Sequence, residues 1–570
     1  MLLLFLLHIV ITLLCLSAGF LSYHFSLRSK NANIQYRPVT FYLITGLIAL
    51  TLVSQVMVLF FPLDGYCLLG ISLLIILLLY VSRKRFTAFV AHIFNALKKQ
   101  GSLGLAMIFV LWIMVLVLNA GPTMMDDTES YHIQMIKWAD EYGTVPGIVN
   151  LHERFGFNSS WFISISFFIP DTHQLNFYTL LNGVISFWFC SFLAGQLSHL
   201  LARKESKSIS SLDLAVILVL FFCLFGWPMI RGNSMTANYD FITTFIVSVL
   251  FIKLLQKGKE TTNNPFRTEW IIWPVYLFTV RIVNYPLLLL SLYGFYFLLK
   301  SRQWRHVTLL AGIALCLVLP FIARNIMVSG YPFYPSAAFN IFNVDWKADT
   351  RIMHGLVDYI QYYNRVNEMF IPIEETAKLR FPDWVVEWFR YMFMYDKPLV
   401  VTGLAGFLLS LVFIKKFVRI FSLPLRFFVI ILGMQLLSWF FIAPDPRFAY
   451  GCLLCGVMLV PILLLNKRTI IINGKILYFV CICLLTAILV YVALKPGRNK
   501  EYQNFLVPYR LPQPPVSEII IDNIRLNVPE RVLGNWNPRC YATDLPCLYI
   551  IDPRLRARGS NIRDGFRLDK

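Results

Sequence analysis

Long apolar runs recur along the chain, near 2–20, 39–61, 66–82, 103–119, 177–197, 211–229, 236–256, 270–280, 285–299, 306–322, 398–414, 427–442, 448–466 and 476–494. A helix needs roughly 20 apolar residues to cross the hydrocarbon layer. The pattern therefore predicts an all-α polytopic membrane protein with about 13–14 transmembrane segments. The runs 270–280 and 285–299 are short for two full spans and carry Arg281 and Asn284 at their turn. They read as a hairpin or broken helix that takes polar groups into the bundle. Run 2–20 lacks a basic leader and a clear cleavage site, which predicts a retained helix. No internal repeat is visible, and this weakens a transporter built from inverted halves.

Charge divides the connections into two sets. Clusters of base occupy 21–38 (Arg28, Lys30, Arg37), 83–100 (Arg83, Lys84, Arg85, Lys98, Lys99), 201–210 (Arg203, Lys204, Lys207), 253–269, 300–306, 415–426 (Lys415, Lys416, Arg419, Arg426) and 467–475. Simple alternation of spans puts all of them on one side, which the positive-inside rule makes cytoplasmic. The other side receives 120–176, 230–235, 323–397, 443–447 and the tail 495–570. Two large loops and a tail would then form an extracytoplasmic surface.

Composition agrees with the pattern: 58% of the 570 residues are hydrophobic, 16% aromatic and 14% charged, and mean hydropathy is +0.64. Soluble domains carry about 25% charged residues. The net charge of +20 follows from basic loops, so it gives no reason to expect a nucleic-acid partner. Nine of the 11 cysteines lie in apolar runs and read as small buried hydrophobes. Cys540 and Cys547 sit in a polar segment and suit a disulfide in an oxidising compartment. With Asn535-Trp536-Asn537-Pro538-Arg539 before them, they suggest a small pinned lid.

Candidate chemistry starts at Asp126 and Asp127, in GPTMMDDTESYHIQMIKWADEY just past an apolar run. Asp126 with Glu129 three residues on fits a helix N-cap signal. Ile133, Ile136 and Ala139 recur at helical spacing, which predicts an amphipathic helix on the membrane surface. One reading makes the pair a cap plus first-turn charge; the other leaves Asp127 free as a catalytic base. His152, Glu153 and Arg154 follow in a dense run of titratable and aromatic residues. Arg231, Arg281, Arg324 and Arg447 lie at or near helix ends on the same side. In Pro444-Asp445-Pro446-Arg447, Asp445 can cap a turn with Pro446 inside it. Arg447 then either snorkels to lipid headgroups or grips a phosphate bidentately. Arg324 precedes a loop rich in aromatics and proline, in which Tyr331 and Tyr334 suit a sugar face or an interfacial anchor. The stretch 381–395, with Trp384 and Trp388, resembles an interfacial helix. No motif indicates a metal site, a bound nucleotide or an activated serine. The cofactor is therefore unknown, with a divalent cation conceivable.

The acidic pair after an early core span, the helical sequence behind it and the Arg-bearing helix ends resemble the C-type (GT-C) integral-membrane glycosyltransferases. The MDDTESYHIQMIKWADEYG…NLHERFGFNSSW block and PDPRFAYG also look like those of a bacterial polytopic family near that superfamily. The resemblance covers roughly 101–494 as a catalytic core with large loops 120–176 and 323–397. Residues 1–100 would supply additional N-terminal helices and 495–570 a small extracytoplasmic tail or lid.

The resemblance implies a sugar donor linked to polyprenyl phosphate, and a glycan, lipid or protein acceptor. It places the protein among membrane lipids in the bacterial cytoplasmic (inner) membrane, with its site and C-terminus outside. Asp127, then Asp126, would be the base; Arg447 and Arg324 would hold the donor phosphate. His152, Glu153, Arg154, Tyr331, Tyr334 and Asp445 are lesser candidates for substrate contact. Competing readings are a polysaccharide polymerase or ligase and, in another class, a transporter or flippase. The last would place ionisable residues mid-span, whereas most charges here stand at span ends.

Overall fold

A computed structural model describes residues 1–27, 36–170, 174–201, 206–257, 268–466, 468–530 and 539–569. Arg28, Lys30, Arg203, Lys204 and the tail stretch Asn535-Trp536-Asn537-Pro538 lie outside the described residues. Among those described, nine helices are long and apolar enough to cross a membrane, or up to eleven if each of two bent pairs is one span. The nine are Leu2–Phe25, Val39–Met57, Gly101–Asn119, Leu180–Leu200, Ile282–Lys300, Trp304–Ser329, Leu423–Ile442, Pro446–Leu465 and Gly474–Arg498. The chain is thus a helical, multi-pass membrane protein.

The remaining expected segments are helical as well. Ser211–Phe225 and Glu269–Val280 are apolar but short, and Asp240–Lys257 carries Asp240, Lys253 and Lys257. Close helix contact relies on missing side chains. A Cβ at Gly46 would strike the Cys15 carbonyl, and one at Gly406 the Gly456 carbonyl. Small residues let helix backbones meet closely where lipid gives no hydrophobic drive for association.

The connections gather at two ends. At one end, strands Ser206–Ile209 and Ile470–Asn473 pair antiparallel, and Ser211 Oγ donates to the Asn466 carbonyl at 2.9 Å. At the other end the two long loops and the tail interlock. The Gly147 amide donates to the Met327 carbonyl at 2.9 Å and the Phe566 amide to the Pro146 carbonyl at 3.1 Å. Arg558 pairs with Asp345 at 2.8 Å and Arg554 with Asp349 at 3.1 Å. The described tail carries two short antiparallel strand pairs: Val516–Ile521 with Ile524–Pro529 and Leu555–Ala557 with Phe566–Leu568. Cys540 and Cys547 are bonded to each other.

The helical stretch 126–142 corrects the expectation of a surface helix. Residues 133–139 are each at most 1% exposed. Its apolar face packs into the core, as the periodicity implies, but the polar face is covered too. Gln134 donates to the Tyr541 carbonyl at 2.9 Å, and Lys137 to the Ala542 and Thr543 carbonyls, both at 2.9 Å. The disulfide loop of the tail therefore satisfies donors that would otherwise face water. A second buried helix, Ser160–Phe168, follows within the same loop and is capped by Ser159.

Candidate functional site

The site begins with Asp127, in the first turn of the 126–142 stretch. Its side chain caps no backbone N–H. One carboxylate oxygen receives Arg154 Nη1 at 2.8 Å and the other Arg447 Nη2 at 3.2 Å. Each arginine is set by a short capped turn. Asp445 accepts the Arg447 amide at 3.0 Å and starts the turn Pro446–Ala449, while its other oxygen stands 2.9 Å from Arg447 Nε. His152 Nδ1 accepts the Arg154 amide at 3.0 Å at the head of Glu153–Gly156. The Arg154 guanidinium also lies 5.4 Å from the Tyr131 ring and 5.7 Å from the Tyr359 ring, within cation–π range.

A second pair adjoins the first. Arg281 meets Asp240 at 2.7 Å, and the Phe448 ring has Arg281 at 3.6 Å and Arg447 at 4.9 Å. Three aspartates and three arginines thus share one patch, formally neutral. Side chains of Asp127, Arg154 and Arg447 are 23%, 24% and 20% exposed, so a small anion can reach them from solvent.

Burial alone would push the Asp127 carboxyl up. The Arg447 and Arg154 guanidiniums outweigh that and hold it below the usual carboxylate range. Burial pushes His132 down to about 3 and His152 to about 4, so both are neutral at pH 7. Among the described residues no group of three or more His, Cys, Asp or Glu could hold a metal ion.

The other candidates go elsewhere. Asp126 is 79% exposed and pairs with Arg539 of the tail, which also takes Glu129. Glu129 instead receives Thr123 Oγ1 at 2.6 Å. The expected cap at Asp126 is therefore corrected: its carboxylate points to the tail. Arg324 is buried at 2% and donates to Asn158, with no bond to Asp127 or Arg447.

Tyr331 and Tyr334 are also buried, in a small cluster with Val149, Ala348 and Met353. Tyr334 donates to the Glu153 carbonyl at 2.8 Å. Packing uses the flat faces that a sugar would need. His152 Nε2 lies 2.5 Å from the Tyr549 hydroxyl, and Glu153 has His152 at 3.7 Å. A small cavity is lined in part by Asn150, His152, Glu153, Asp349 and Asp552, and neither Arg154 nor Asp127 lines it.

Sequence reasoning did not find Asp240 as the partner of Arg281, or Phe448 as the ring between two arginines. A lone acid heading the apolar run 236–256 was the available signal. The sequence offers Arg154 for substrate contact, and nothing local marks it as a partner of Asp127.

Fold and site together define a multi-pass helical membrane protein with an ion-paired polar centre at one end of its bundle. Residues 1–454 match the family described as a domain of unknown function (DUF8201), and the chain belongs to that family. No curated protein and no solved structure matches the chain.

Proposed function

We propose that this chain is a C-type glycosyltransferase of the bacterial cytoplasmic membrane. It would move a sugar from a polyprenyl-phosphate-linked donor to a glycan, lipid or protein acceptor on the extracytoplasmic face. The observation that carries this reading is Asp127 held between Arg447 and Arg154. A carboxylate and two fixed guanidiniums at one partly exposed spot suit such a transfer. The site end is opposite the end that holds the pairing of 206–209 with 470–473, and positive-inside reasoning makes the latter cytoplasmic.

The chemistry follows from the charges. Donor phosphate oxygens compete with Asp127 for the two guanidiniums, because charge-assisted bidentate pairing is strong for phosphate. Asp127 then loses the cations that depress it, while burial remains and raises its basicity. The acceptor hydroxyl gives its proton to Asp127 as its oxygen attacks the anomeric carbon. The bond from that carbon to the phosphate oxygen breaks, and the electron pair leaves with the lipid phosphate. Arg447 and Arg154 stabilise the charge that grows there. Arg447 and Arg154 take the clamp role expected of Arg447 and Arg324.

Mass spectrometry of lipid-linked and surface glycans, in cells with and without the gene, tests the reading. A sugar should vanish from one glycan and return with the wild-type gene but not with Asp127→Asn. Identical glycans in all four strains would overturn it.

A further inference from the structure

Two helices leave their spans at nearly right angles. Gly65–Val81 turns by 100° into Arg83–Lys98, and Asp396–Val412 by 91° into Ile414–Ile420. A helix perpendicular to a spanning one lies along the membrane plane. Both lie at the same end of the bundle. Gln100, just past the first, is the nearest side chain to Gly195, on the helix that leads to the strand pair. Lys416 of the second reaches the Leu464 carbonyl at 3.5 Å, two residues from the Asn466 carbonyl that Ser211 holds.

Their chemistry is alike. Arg83, Lys84, Arg85, Lys98 and Lys99 are exposed on or beside the first, and Lys415 and Arg419 on the second. No Asp or Glu occurs between Asp64 and Asp126, or between Asp396 and Asp445. The cations therefore have no acidic neighbour in their own stretch of chain. Arg85 meets His24 at 2.6 Å, which leaves its charge uncompensated. Large apolar side chains are exposed beside them: Phe94 at 65% and Leu97 at 45% on one, Ile414 at 48% and Val418 at 43% on the other. Phe89 and Phe417 point inward and are buried, so each helix is fixed to the bundle on one side.

We propose that Arg83–Lys98 and Ile414–Ile420 lie in the headgroup layer as a paired docking surface for anionic phospholipids. Apolar side chains would enter the acyl boundary while the basic ones meet headgroup phosphates, as interfacial amphipathic helices do. The occupant is the anionic lipid surface, selected by charge. This inference is independent of the glycosyltransferase reading, since none of its residues belongs to the Asp127 site.

The test is native mass spectrometry of the full-length protein released from nanodiscs with equal phosphatidylglycerol and phosphatidylcholine. Wild type should retain phosphatidylglycerol over phosphatidylcholine. The variant Lys84→Gln/Lys98→Gln/Lys99→Gln/Lys415→Gln/Arg419→Gln should lower that preference at least about five-fold, since each surface cation contributes. A control, Arg525→Gln/Arg556→Gln/Arg567→Gln in the tail, should retain it. Equal preference in wild type and the five-site variant would overturn the proposal. Should that variant fail to fold, wild type decides alone: its preference must collapse when the lipids exchange in about 1 M salt, where screening reaches about 3 Å. A salt-insensitive preference would overturn the proposal as well.

Discussion

Asp127 and Arg447 stand 320 positions apart in the chain and meet at 3.2 Å. The meeting joins the first turn of a buried helix to a proline-headed turn at the end of a late span. Arg154 completes it from a third segment at 2.8 Å. A carboxylate shared by two guanidiniums is ionised, fixed in direction and weakly basic. It becomes a stronger base only when another anion takes its partners. In the proposed reaction that anion is the donor phosphate.

Replacing Asp127 by Asn should cut sugar transfer by about 10²–10⁴-fold, the usual contribution of a positioned general base. The protein should remain folded, because the cations still have Asp445 and the tyrosine rings nearby. Radiolabel transfer in reconstituted vesicles measures this, and full activity would remove Asp127 as the base.

Arg447→Ala should weaken donor binding by about 10–100-fold, as charge-assisted hydrogen bonds contribute about 1.5–3 kcal/mol. Arg447→Lys should recover only part of that, because an ammonium cannot pair bidentately. Donor titration separates the cases; unchanged affinity in the alanine variant would return Arg447 to a lipid-anchoring role.

Arg324→Gln should alter stability and leave donor affinity alone. The side chain is buried and bonded to Asn158, so its loss strands polar groups at about 1–3 kcal/mol each. Thermal unfolding and donor titration on the same sample test this. A raised donor dissociation constant with an unchanged melting temperature would contradict it.

The tail loop should be structural for the 126–142 helix. Cys540→Ser/Cys547→Ser frees a loop of sequence separation 7, which costs about 2 kcal/mol. Lys137, only 1% exposed, depends on the Ala542 and Thr543 carbonyls of that loop. Hydrogen exchange over 126–142 should rise in this variant, and unchanged protection would count against it.

Stability should fall as pH drops from about 7 toward 4. An unfolded His titrates near about 6.5, whereas His152 is held at about 4 in the fold. The stability that comes from keeping it neutral is complete above the unfolded value. It is lost as pH falls toward the folded one. Asp127, depressed below its ordinary value, adds stability that is lost only at still lower pH. Melting temperature against pH should decline less between 7 and 5 in His152→Gln; identical slopes would contradict the assignment.

What the chain discloses by itself follows the range of each interaction. The turn at Asp445-Pro446-Arg447 was legible because cap, proline and cation lie within three residues. Spans were legible because lipid demands continuous apolar length, and even the short runs Ser211–Phe225 and Glu269–Val280 are helices. The 126–142 helix was visible in its period, while its burial was not. Gln134 and Lys137 look like a solvated face until residues 541–543, some 400 positions on, cover them. The same distance hid Arg539 as the partner of Asp126 and left the acidic pair to be read as a cap. Arg324 misled because burial of a cation is a tertiary fact, set here by Asn158.

The most direct test of exchange between carboxylate and phosphate is binding of polyprenyl phosphate to purified wild type, Asp127→Asn and Arg447→Ala. The expected result is equal or tighter binding in Asp127→Asn, whose competing carboxylate is gone, with about 10-fold or greater weakening in Arg447→Ala. Binding that is indifferent to both substitutions would contradict the account.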